Sequence, residues 1–138
     1  MKSNRPNGGR VLIGGIVAGA LINTGEYIVH GLLLDPQWKA AFAALGRIPT
    51  GWATFIPSGF LIGIIGIWIY AKFRPNYGPG PLTAVRSGVL IWAIFWAIPI
   101  MALQPMHLFP NSLLFTTILV GLMDSVPAVL LGAWIYRP

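Results

Sequence analysis

The stretch Val11–Leu34, VLIGGIVAGALINTGEYIVHGLLL, decides the fold, because Glu26 is its only acidic or basic side chain apart from His30. About 20 apolar residues are enough to carry a helix across ~30 Å of hydrocarbon. Three further stretches of similar length follow at about 51–71, 84–104 and 113–136, each with at most one Asp, Glu, Lys or Arg. The composition agrees: 56% of the 138 residues are hydrophobic and only 9% charged, with a mean hydropathy of +0.74. A soluble domain carries charge at roughly a quarter of its positions, so the solvent for most of this chain is lipid. The expected fold is all-α: one domain over 1–138, a polytopic membrane protein of four transmembrane helices built from two hairpins.

The cations predict the orientation. Lys2, Arg5, Arg10, Lys72, Arg74, Arg86 and Arg137 fall at the N-terminus, the middle loop and the C-terminus, leaving only Lys39 and Arg47 for the other side. By the positive-inside rule both termini are cytoplasmic, in a bacterial inner membrane. Ala18-Gly19-Ala20 imitates a leader cleavage site, but the apolar run continues to Leu34, so an anchored first span is expected. The net charge of +6 reflects cations set singly at span ends, which argues against nucleic acid as a partner. Without cysteine, thiolate metal sites and thiol chemistry are excluded.

Trp68, Tyr70, Tyr77, Trp134 and Tyr136 gather at the predicted cytoplasmic edge, and Trp38, Trp52 and Phe109 at the other, as interfacial aromatics do. Trp92 and Trp96 lie one turn apart inside the third span and read as a packing face. In the first external loop, Asp35 as N-cap, Pro36 at the first helical position and Gly46 as terminator predict a short helix over 36–45. Its Trp38, Phe42 and Leu45 share one face, which suits an amphipathic helix flat on the outer interface, as an anchor or, alternatively, a lid. Three prolines between Arg74 and Pro81 predict a stiff, non-helical middle loop. GIWIY (66–70) and GAWIY (132–136), each followed by Arg-Pro, suggest a duplicated hairpin related by an axis along the membrane normal.

Inside the bundle two stripes stand out. Gly15, Gly19, Asn23, Glu26 and His30 share one face of the first span, and Thr117, Gly121, Asp124, Ala128 and Gly132 one face of the fourth. Gly59, Gly63 and Gly66 do the same on the second. Small residues let helices approach closely in lipid, where no hydrophobic force drives them together. A charged carboxylate at the bilayer centre costs about 2.5–3.5 kcal/mol on insertion scales. At 1.5 Å per residue Glu26 lies ~12 Å below Leu34 and Asp124 ~18 Å below Ser112, so the two acids can meet. No Lys or Arg lies at that depth, which leaves each other, Asn23, His30, Thr117 and Ser125 as expected partners in an intramembrane polar or proton site. His30 and His107, near the outer ends of the odd spans, are a possible ligand pair for haem, a pigment or a metal. No nucleotide loop, serine elbow or zinc protease motif is present, so no enzymatic activity is expected and no cofactor is specified.

YGPGPLTA (77–84) after a Trp-Ile-Tyr-Ala helix end, with Asn23 and Glu26 early and Leu45-Gly46-Arg47 after an amphipathic turn, resembles small four-span bacterial inner-membrane proteins. That resemblance implies the architecture and brings no activity with it. The arrangement is also similar to small multidrug transporters, which have four spans and a membrane-embedded Glu in the first; this chain departs from them in its one-sided cations and long first loop. The expected role is that of an accessory or assembly subunit packed against membrane-protein partners or copies of itself. The alternative is proton-coupled movement of a small solute through Glu26 and Asp124.

Overall fold

The computed structural model describes residues 5–136; Lys2 and Arg137, on which part of the cation bias rests, lie outside them. Four helices are long and apolar enough to cross a membrane: α1 (Gly8–Leu33), α3 (Trp52–Tyr77), α4 (Pro81–Met106) and α5 (Asn111–Ile135). A shorter helix, α2 (Asp35–Ala44), follows α1. No strand occurs among the described residues. Large apolar side chains such as Leu61, Ile98, Phe115 and Met123 point outward, as expected of a multi-pass membrane protein whose outer surface meets lipid.

Glycine sets how the helices meet. A Cβ at Gly15 would stand 2.5 Å from the Cα of Ile64, and one at Gly19 would stand 2.6 Å from the Cα of Phe60. A Cβ at Gly63 would overlap the backbone of Gly19 and Gly15. As α1 ascends through 15 and 19, α3 descends through 64 and 60, so the two are antiparallel and nearly in backbone contact. α5 meets α1 from another side, where Gly14 and Gly132 abut: a Cβ on either would sit 2.5–2.6 Å from the other's carbonyl oxygen. α5 also packs along α4, with Gly88 against Val126. α1 and α4 thus face each other diagonally across a core of Ala18, Ile22, Ile67, Ile91, Ala128 and Val129.

The middle loop and the start of α2 differ from the sequence expectation. Helix α3 runs through Pro75 to Tyr77, so the turn between spans shrinks to Gly78, Pro79 and Gly80. Pro75 lies in the last turn of α3, where the Gly78 N–H closes on the Arg74 carbonyl at 2.9 Å, and the stop is set by Gly78 and Gly80, both at positive φ (79° and 134°). Thr83 Oγ1 donates to the Gly78 carbonyl at 2.8 Å and ties the turn down. At α2, Asp35 is the first helical residue, not the cap; its carboxylate takes the Lys39 ammonium at 2.7 Å instead, an exposed pair that adds little stability. The two WIY copies meet each other: the rings of Tyr70 and Tyr136 pack edge to face with centroids 6.0 Å apart.

Candidate functional site

Helix α1 is α-helical to Glu26 and π-helical from Tyr27 to Leu33. A π segment bonds i to i+5, widens the turn and often marks a functional site. Here the transition falls between Glu26 and His30. The His30 Nε2 stands 3.5 Å from Glu26 Oε2, within ion-pair range and just beyond a good hydrogen bond. The other carboxylate oxygen of Glu26 accepts the indole N–H of Trp96 at 2.8 Å, a bond that crosses the diagonal from α4 to α1. α4 is itself π-helical over Ala93–Ala97, so both partners of this bond sit at or next to a widened turn.

Trp96 reaches Glu26 because Gly121 makes room: a Cβ at position 121 would lie inside the indole. Gly121, expected to bring two backbones together, instead forms a slot for a ring. Gly25 has the matching role for Asp124, whose carboxylate occupies the space a Cβ at 25 would take. The acid of α5 therefore lies beside the residue preceding Glu26. Its Oδ2 is buried with no hydrogen-bond partner among the described residues.

Helix α2 packs over the His30 end of the site. Trp38 Nε1 donates to His30 Nδ1 at 3.0 Å. Trp38 also packs edge to face on Phe109 with centroids 5.7 Å apart, and Phe42 does so at 5.5 Å. An indole N–H can only donate, so Nδ1 is the acceptor and the proton of neutral His30 sits on Nε2, facing Glu26. The chain Trp38, His30, Glu26, Trp96 thus links α2, α1 and α4, with Asp124 of α5 alongside. Glu26 keeps 29% of its side chain accessible and His30 only 11%.

Several expected members lie elsewhere. Asn23 donates to the Ile56 carbonyl at 3.0 Å, bridging α1 and α3, and its amide oxygen fills the space beside Gly59. Thr117 and Ser125 turn their hydroxyls back onto the Leu113 and Leu122 carbonyls of their own helix, as hydroxyls in a lipid-embedded helix do when no partner faces them. His107 is exposed, in a left-handed backbone conformation after a short 3₁₀ turn, and no hydrogen bond or ring contact joins it to His30. Among the described residues no three His, Asp or Glu side chains converge as a metal site. The sequence presents Trp96 as part of a packing face and marks neither Trp38 nor Gly25 as a member of the site. The available signal was position: Gly25 adjoins the one acid of α1, and Trp38 heads the apolar face of the loop helix.

Because Trp38 shields His30, replacing it with alanine is expected to raise the rate of diethyl pyrocarbonate modification at His30 roughly tenfold, the equivalent of one lost hydrogen bond of ~1.4 kcal/mol. Mass spectrometry of the modified peptides measures this, with exposed His107 as an internal standard whose rate stays constant.

Comparison with protein-family models, with curated proteins and with solved structures finds no match.

Proposed function

We propose that this is a non-catalytic inner-membrane protein that takes up and releases protons at Glu26 and passes them across the bilayer, with or without a small solute. One observation carries the reading: Glu26 is held inside the bundle between His30 and Trp96, with Asp124 alongside. The cluster contains two acids and a histidine and no Lys or Arg. Such a group is expensive in a membrane unless something neutralises it, and a proton does so without the converging ligand set that a metal needs.

The Trp38 bond supplies a latch. Neutral His30 accepts from Trp38, whereas imidazolium has a proton on both nitrogens and can only donate. A second proton on His30 therefore expels the indole, frees α2 and opens the Glu26 side to the outer solution. In this reading α2 is a cap lying at the outer interface.

The test is an imposed pH gradient across proteoliposomes containing the purified protein and an entrapped pH dye. Under a potassium-diffusion potential the protein is expected to dissipate the gradient faster than protein-free vesicles do. Vesicles that hold the gradient equally well in both cases sink the transport reading. Recovery of stoichiometric partner subunits on gentle purification would then favour the accessory-subunit role.

The proposed orientation has its own check. The chain contains no cysteine, so a single cysteine at Gln37 reports unambiguously, and it is expected to react with an impermeant maleimide from outside intact cells. Labelling of about half the molecules would indicate insertion in both orientations and contradict the positive-inside assignment.

A further inference from the structure

At the opposite end of the bundle from Trp38, a cavity of about 380 Å³ opens between α3, α4 and α5, lined by Tyr70, Arg74, Ala84, Leu130, Ala133 and Trp134 among others. The Arg74 guanidinium lies 5.4 Å from the Tyr136 ring centroid and 5.9 Å from that of Tyr70. These rings hold the cation in place from one side and offer its N–H groups no acceptor. No Asp or Glu side chain serves it either: Glu26 and Asp124 belong to the site above, and Asp35 is paired with Lys39. The Tyr70 hydroxyl oxygen accepts the Gly80 N–H at 3.3 Å, which leaves its own hydrogen to donate. Two donor groups thus converge on a space that no acceptor of the described residues fills.

The rest of the wall is of a different kind. Ala84, Leu130 and Ala133 are apolar, and Trp134 is 60% exposed at the rim. The lining is cationic at Arg74 and hydrocarbon along α5, as in basic pockets between transmembrane helices that bind anionic headgroups. Arginine's planar fork is suited to phosphate oxygens. We propose that this cavity binds an anionic phospholipid, with the phosphate on Arg74 and Tyr70 and an acyl chain along Leu130 and Ala133. The apolar wall selects a lipid over free phosphate, which would leave that wall uncovered.

The experiment is native mass spectrometry of the full-length protein in detergent, titrated with phosphatidylglycerol, phosphatidylcholine or inorganic phosphate. Wild type is expected to retain one phosphatidylglycerol in preference to phosphatidylcholine. Arg74→Gln is expected to weaken that retention about tenfold, the loss of a charge-assisted contact, while Lys72→Gln, whose ammonium lies over Trp68, leaves it within about twofold. A readout on the unaltered protein guards against a misfolded variant: phosphatidylglycerol should slow phenylglyoxal modification of Arg74 and leave Arg47 unchanged. Equal retention by Arg74→Gln, equal protection by phosphatidylcholine, or full protection by inorganic phosphate would each overturn the proposal.

Discussion

Gly63→Leu is expected to prevent assembly of the bundle. The Cβ alone would overlap the Gly19 and Gly15 backbone, and no side-chain rotation can relieve a clash with main chain. Overpacking of ordinary cores costs about 1–3 kcal/mol because neighbours can shift. Here two helices must separate along their closest contact, so the cost is put at ~3 kcal/mol or more. In detergent this corresponds to a fall in melting temperature of roughly 6–12 °C, or to recovery of aggregated protein only. Ile13→Leu, at a side chain 58% exposed, is the control and should melt with wild type. If both variants unfold together, α1 and α3 do not meet at these glycines. Gly121→Leu should act differently: its bulk displaces the Trp96 ring, so it breaks the bond to Glu26 as well as loosening α4 from α5.

The second large effect is on proton movement. Glu26→Gln should fold normally, because the amide oxygen still accepts the Trp96 N–H and the side chain keeps its volume. It carries no titratable proton, so flux in proteoliposomes is expected to drop to the level of protein-free vesicles. Asp124→Asn should only slow the flux: it removes a neighbouring titratable group and leaves the Trp96, Glu26 and His30 contacts intact. If Asp124→Asn abolishes flux while Glu26→Gln preserves it, the two acids have exchanged roles and Asp124 is the carrier.

How much of this was legible in the sequence depends on the range of the contacts. The four spans are local properties of composition, and the largest shift of an end, to Tyr77, falls where the helix continues through Pro75. The glycine stripe of α1 was readable through Asn23, since a helical period places Gly15, Gly19 and Asn23 together and all three meet α3. Beyond that the stripe divides. Glu26 turns toward α4, and the π segment from Tyr27 shifts the register of His30. Trp96 lies 70 positions from Glu26, and only the diagonal placement of α1 and α4 makes them partners. For α2, amphipathicity revealed an apolar face but not what it covers; Trp38 and Phe42 pack on His30 and Phe109. Thr117 and Ser125 share a helix with Asp124, yet a hydroxyl can always satisfy itself on its own backbone, so their residue type could not show whether they join the acid.

Proton exchange at Glu26 within the bundle can be followed by infrared difference spectroscopy of the reconstituted protein on a pH jump between about 4 and 9, a range that brackets carboxyl and imidazole titration. The expected result is a carboxyl carbonyl band that appears and disappears with pH, shifts in D₂O, changes frequency in Asp124→Asn and is lost in Glu26→Gln. A spectrum with no such band, or one whose band survives unchanged in Glu26→Gln, would contradict it.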